Sequence, residues 1–210
     1  MDPRPRGHRT LPGVLGTSKE RQRTSPPRRA DALADIVLPD HDGNDVRLGD
    51  LWSEEPVALV WVRHYGCVHC RSHAVALEGA RSEFDAAGVR VVLVGQATPR
   101  QAAHFRRRLD IDLPVLADES RESYKVAGAK VATAGELLGP RSVTQGLRRT
   151  FESRGKVHQG RIIGHPAQLG GAMVIAPGGE VTWCHMAEDA SDNATPDEIL
   201  AAARAASTTG

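Results

Sequence analysis

The chain has 210 residues, 40% hydrophobic and 25% charged, enough for one domain with a real core. No apolar run approaches bilayer-spanning length, and three cysteines do not make a structural disulfide framework. The formal charge of +1 divides into about +6 over residues 1–30 and −5 over the rest, a basic leader on a mildly acidic body.

Residues 1–30 are rich in Arg and Pro, without a periodic apolar pattern. They read as a solvated, disordered leader, with one domain over residues 31–210. The leader lacks the apolar stretch of a secretory signal, so the expected compartment is the cytoplasm, with no membrane and no nucleic-acid partner. From Ile36 to Leu48, two short apolar stretches flank Asp42-Gly43, a β-hairpin pattern. Val57 to Val62 reads as a buried strand. It runs into a turn at Gly66 and a helix that starts at about Cys67 and keeps helical character from Arg71 to Ala87.

Val89 to Gly95 is a β-branched run suited to a central parallel strand. Pro99 opens a helix to about Arg108 with Ala102, Phe105 and Leu109 on one face, which leaves Arg106, Arg107 and Arg108 in solvent. Pro114 to Asp118 is a short strand and Glu119 to Val126 a helix. Residues 128–168 carry seven basic groups and resemble a lid, insertion or binding loop, with a short helix near Val143 to Glu152. Ala172–Ala176 and Val181–His185 flank a Pro-Gly-Gly turn as an antiparallel hairpin. Thr195 and Glu198 then stand at capping-box spacing before a helix to about Ala206. Alternating βαβ units closed by a hairpin and helix make an α/β fold: a thioredoxin-like mixed sheet with helices on both faces and an N-terminal β-hairpin.

The chemistry concentrates at Cys67-Val68-His69-Cys70. A sulfur at a helix N-terminus meets unpaired N–H groups and the positive end of the dipole, which can lower a thiol pKa from about 8.5 to roughly 3.5–7.5. Cys70, one turn along the same face, can close a disulfide with it. Cys67, nearer the helix start and the more exposed of the two, is the expected nucleophile, and Cys70 the resolving thiol. His69 between them could stabilise the thiolate as an imidazolium or simply stand exposed on the helix. Arg63 or His64 could place positive charge near the sulfur. His69 and His73 have i,i+4 spacing, but no metal site is expected. Cys184 reads as a small buried hydrophobe rather than a third redox thiol.

The segments Asp35–Gly43 with Leu48-Gly49-Asp50-Leu51, Arg63–Arg71, Gly95-Gln96-Ala97, Leu113–Asp118, Gln168–Gly171 and Ile175–Gly179 occur in an order that resembles the peroxiredoxin-like family of alkyl hydroperoxide reductases and thiol-specific antioxidants. They are similar to its C-x-x-C branch, the one that includes prostamide/prostaglandin F synthase. The likeness covers about residues 33–205. It implies an enzyme that reduces a peroxide or disulfide through Cys67 and Cys70, with Arg63, His64, Gly66 and His69 in support. No bound cofactor is implied, only an external thiol reductant of thioredoxin or glutathione type, and a homodimer is left open.

Two departures stand out. Typical members place Thr or Ser three residues before the reactive Cys and Pro seven before it; here those positions hold His64 and Val60. The place of the thioredoxin cis-proline is held by Gly170 or Gly171, whose missing side chain is expected to leave room for substrate beside the sulfurs. Bulky organic peroxides or disulfides are therefore expected to be better oxidants than hydrogen peroxide. The alternatives are a biosynthetic reductase of an endoperoxide or disulfide, and a non-enzymatic thioredoxin-fold binding module.

Overall fold

The structure, a computed structural model, describes residues 25–133, 144, 160–161 and 163–207. Its centre is a five-stranded sheet in the order β5-β4-β3-β6-β7. The strands are β3 (Val57–Val62), β4 (Arg90–Gly95), β5 (Val115–Ala117), β6 (Gly171–Ile175) and β7 (Val181–Met186). β3, β4 and β5 run parallel, as their helical crossovers require, and β6 and β7 add antiparallel to the other edge of β3. β1 (Val37–Pro39) and β2 (Asp45–Arg47) form the separate N-terminal hairpin. Its turn is held by Asp40, whose carboxylate accepts from the Asp42 and Asn44 amides at 2.8 and 2.9 Å.

The central strand explains the two-sided core. All six residues of β3 are buried, and they alternate between faces as the pleat dictates. Ala58, Val60 and Val62 pack with Leu77, Phe84, Phe105 and Ile199. Val57, Leu59 and Trp61 pack with Leu33, Leu48, Met173 and Tyr124. The first face carries α2 (Val68–Gly79), α3 (Arg81–Ala86), α4 (Pro99–Leu109) and α6 (Pro196–Ser207). The second carries α1 (Asp31–Ala34), the 3-10 turn Leu48–Trp52 and α5 (Glu122–Ala127). The expected thioredoxin-like arrangement is therefore present.

Three local readings change. The single helix expected through Ala87 breaks at Ala80 (φ −94, ψ 4), just after Gly79, a poor helix former. The bend returns Phe84 to the core at 1% exposure. The leader boundary lies a few residues earlier than Asp31. Ala30 is buried, its amide donates to the Gly179 carbonyl, and Val181 donates to that of Arg28. In the long segment 128–168, the two ends pair with each other: Ala132 donates to Ala167 at 2.7 Å and Leu169 to Lys130 at 3.0 Å. Apart from Thr144, the short helix expected near Val143 to Glu152 lies outside the described residues, as does most of the leader.

Buried polar groups lock the carboxyl ends of β3 and β4. The Tyr124 hydroxyl lies 2.7 Å from the Val62 carbonyl and 3.0 Å from that of Val94. Trp61 Nε1 donates to Ser123 Oγ at 2.9 Å, and Ser123 Oγ donates to the buried Asp118 carboxylate at 2.7 Å. The strand ends from which the Cys67 turn departs are thus fixed from below.

Candidate active site

Cys67 is the N-cap of α2, with extended backbone (φ −73, ψ 125), and Arg71 N–H donates to its carbonyl at 3.0 Å. Cys70 follows on the first turn, and both thiols are unbridged. Both are also buried, at 0% and 1% exposure, so the expected exposure of Cys67 is corrected. The return of the long segment lies over the adjoining Gly66. Gly160 N–H donates to the Gly66 carbonyl at 2.7 Å, and the backbone of Gly160 and Arg161 lies across Gly66. A methyl group on Gly66 would overlap the Arg161 carbonyl, so only glycine permits this approach. Gln96, at the end of β4, clamps the same segment. Its amide N–H donates to the carbonyls of Arg63 and His165, and its Oε1 accepts from the His165 amide at 2.7 Å.

The two sulfurs are driven apart in acidity. The Cys70 thiol donates a hydrogen bond to Cys67, which holds Cys67 well below the usual thiol range against the opposing effect of burial, and the Arg63 guanidinium adds to the lowering. The same hydrogen bond, together with burial, pushes Cys70 well above that range. These shifts bias Cys67 toward the thiolate and Cys70 toward the thiol.

Of the two candidate cations, Arg63 lowers the Cys67 pKa as a fixed charge, while His64, which lowers it too when charged, is held neutral. Burial pushes the His64 imidazole down to about 4, so it is neutral at physiological pH. Its Nε2 lies 3.2 Å from the Arg63 guanidinium, so it accepts from that donor in the neutral form. His64 thereby helps to hold the cation that faces the sulfur. His69 is buried at 5% exposure rather than standing in solvent, and His73 is buried on the same helix. Among the described residues no group of three or more His, Cys, Asp or Glu side chains converges as a metal site would require.

The expected role of Gly170 and Gly171 as open space beside the sulfurs is corrected too. A side chain at Gly170 would overlap the Trp61 carbonyl, and one at Gly171 would meet the His185 carbonyl at 2.6 Å. These glycines let backbone close on backbone at the ends of β3 and β7. Cys184 lies on β7, half-buried against the core on the opposite face of the sheet from the cysteine pair.

Open space lies instead on the α4 side of the turn. A cavity of 790 Å³ is walled by Tyr65, Gly66, Phe105 and Ile163 and rimmed by arginines from α2, α4 and the returning segment. Tyr65 stacks on Phe105, ring centroids 4.4 Å apart, and burial raises its phenol pKa. Arg107 and Arg108 are exposed as expected and line this cavity, whereas Arg106 is half-buried and tied to the Leu113 and Asp112 carbonyls at 3.0 and 2.8 Å. The signal was present in the sequence. Arg100, His104 and Arg107 recur at i, i+4 and i+7, a stripe beside the Ala102–Phe105 core face. Nothing in the pattern, however, said that Tyr65 and the segment at 160–163 would come to meet it.

Comparisons with known proteins converge. Residues 76–189 match the family model described as AhpC/TSA antioxidant enzyme, a span that begins beyond Cys70. The thioredoxin-like protein AAED1, chloroplastic, of Arabidopsis thaliana is 30% identical over 185 residues, covering 82% of this chain and 72% of that protein. The prostamide/prostaglandin F synthase of Homo sapiens is 30% identical over 162 residues, covering 75% and 79%. Among solved structures, the peroxidoxin BcpB of Mycobacterium tuberculosis superposes with a TM-score of 0.61 at 20% identity, over 88% of this chain and 97% of that one.

Proposed function

Because the chain belongs to the AhpC/TSA family of antioxidant enzymes and is a peroxiredoxin-like thiol oxidoreductase, we propose that Cys67 is its peroxide- or disulfide-attacking nucleophile and Cys70 its resolving thiol. One observation carries the reading: two buried, unbridged thiols one turn apart at the start of α2, one biased to thiolate and its partner to thiol. With a peroxide, the Cys67 thiolate attacks one oxygen and the O–O bond breaks. The leaving alkoxide takes a proton and departs as an alcohol, while Cys67 becomes a sulfenic acid. Cys70 then attacks that sulfur, water leaves, and a Cys67–Cys70 disulfide remains. The protein has lost two electrons and the peroxide has gained them. As family members rely on thiol reductants, one thioredoxin-type dithiol or two glutathione-type thiols return the pair to the reduced state by two thiol–disulfide exchanges and leave as a disulfide.

His64 stands where typical relatives carry a hydroxyl, so little is supplied to polarise a small O–O bond. The oxidant's remote groups must contribute binding energy, which favours a bulky organic peroxide or disulfide over hydrogen peroxide. The burial of Cys67 agrees with this, since an oxidant that seats in the neighbouring cavity can exploit opening of the Gly66–Arg161 seam.

The test is single-turnover oxidation of the reduced protein. Cys67→Ser should abolish oxidation by cumene hydroperoxide, and Cys70→Ser should stop at a dimedone-trappable sulfenic acid. The wild type should react faster with cumene hydroperoxide than with hydrogen peroxide. Unimpaired turnover in Cys67→Ser would overturn the assignment.

A further inference from the structure

Among the described residues, the charged side chains that rim the cavity beside the Cys67 turn are arginines and a histidine. Arg71 from α2, Arg100, Arg107 and Arg108 from α4, and Arg161 from the returning segment all line it. Among the described residues no carboxylate lines it, and Arg100, Arg107 and Arg161 have no ion-pair partner. This differs from the neighbouring surface, where Arg81 faces Glu78, Asp85 and Asp112, and Arg106 faces Asp112. Burial and the charge of Arg108 both lower the Arg71 pKa. Arg100, Arg107 and Arg161, gathered around one cavity without an ion-pair partner among the described residues, leave guanidinium donors open to an anion, and a guanidinium fork matches the oxygens of phosphates and carboxylates.

The opposite wall is apolar: Tyr65, stacked on Phe105, with Ile163 beside them. The Tyr65 hydroxyl is buried and has no hydrogen-bond partner among the described residues. A concave apolar wall with a few convergent polar groups is the usual form of a small-molecule site.

We infer that this cavity binds the oxidant by an anionic head carrying at least two negative charges, as phosphate or as carboxylates, with an apolar body laid on Tyr65 and Phe105 and the reacting bond directed toward Gly66 and Cys67. The inference rests on the assignment of Cys67 as nucleophile. It adds the selection rule that anionic substrates outpace neutral ones of the same chemistry. With a disulfide oxidant, the Cys67 thiolate forms a mixed disulfide and expels one thiolate. Cys70, losing its proton to solvent, then displaces the second thiolate and closes the Cys67–Cys70 bond. The dithiol is oxidised by two electrons and the disulfide is reduced to two thiols.

The experiment follows oxidation of the reduced full-length protein by the dianionic dithiobis-nitrobenzoate and the neutral dithiodipyridine, at fixed ionic strength because exposed charges are screened. Pyrophosphate and citrate serve as competitors. The anionic disulfide should react faster relative to its rate with a free small thiol, and at least one competitor should suppress that advantage. Suppression by pyrophosphate alone assigns a phosphate head, and by citrate alone a carboxylate head. In the double variant Arg100→Glu, Arg107→Glu, the ratio of anionic to neutral rate constants should fall by about tenfold or more, as expected for losing charge-assisted contacts. Arg90→Glu, on an exposed β4 position away from the cavity, applies half of that change in net charge and should leave the ratio in place.

Both α4 positions are exposed, so the double variant should fold, and wild-type competition reads the site without it. An unchanged ratio in the double variant, an equal fall in Arg90→Glu, or no effect of either competitor overturns the anionic cavity. Failure of the neutral disulfide to oxidise Cys67 overturns the nucleophile assignment instead.

Discussion

At the scale of single residues, acidity is divided by neighbours rather than by exposure. Cys67 is completely buried yet held below its usual range, because the Cys70 thiol donates to it and Arg63 sits nearby. Removing the cation should therefore move the thiolate curve. Arg63→Met should shift the midpoint of Cys67 alkylation by iodoacetamide to higher pH, with slower modification near neutrality; an unmoved midpoint would remove Arg63 from the account. His64 has the opposite kind of shift, an imidazole kept neutral by burial and pushed from 6.5 to about 4. Between those values the unfolded chain takes up a proton that the folded one refuses. Its stabilising contribution is thus complete above about pH 6.5 and lost as pH falls toward 4, roughly 3 kcal/mol in all. Denaturant midpoints should fall over that window, and His64→Gln should fall less steeply; identical slopes would sink the claim.

At the scale of elements, the site is a strand end, a helix start and a covering segment held by few bonds. Gln96 ties Arg63 to His165, and Gly66 admits the backbone of Gly160 and Arg161. Gln96→Ala should cost about 1–3 kcal/mol by leaving partly buried backbone groups unpaired. The same change should speed alkylation of Cys67 and raise amide exchange at His165. Slower or unchanged alkylation would mean that access to the sulfur does not pass through this seam. The last helix is simpler. Thr195 and Glu198 form the expected reciprocal cap, with the Thr195 amide donating to the Glu198 carboxylate at 2.7 Å and the Glu198 amide to Thr195 Oγ1 at 3.2 Å. Thr195→Ala should cost about 1 kcal/mol, read as a lower thermal midpoint, and should leave the redox reaction untouched.

For the whole molecule, the central sheet separates chemistry from support. The cysteine pair lies in the core on one face, and Cys184, Trp61 and Tyr124 lie on the other. Cys184→Ser should accordingly leave formation of the Cys67–Cys70 disulfide intact, seen as an unchanged loss of two hydrogens in intact mass. The start of the fold gives a second test at this scale. Arg28 to Ala30 bond to Gly179–Val181, so a chain beginning at Arg28 should keep the full-length melting temperature. One beginning at Asp31 should lose several degrees, because it gives up those bonds and the buried Ala30. Equal melting temperatures for the two would show that this pairing contributes nothing.

The sequence by itself determined whatever is local in the chain. A six-residue apolar run at Val57–Val62, β-branched and followed by a glycine turn, reads as a strand buried on both sides, and Cys-x-x-Cys at a helix start places two sulfurs on one helix face. The hairpin turns and the Thr195 cap are equally short-range, because their bonds join residues a few positions apart. Tertiary structure decided everything that depends on which distant segment arrives. The burial of Cys67, the neutrality of His64, the closed space at Gly170 and Gly171 and the arginine-rimmed cavity each arise where groups far apart in the chain converge. Period and propensity describe one segment's faces. Solvent exclusion and the summed field of several charges belong to the packed assembly, and no single segment carries them.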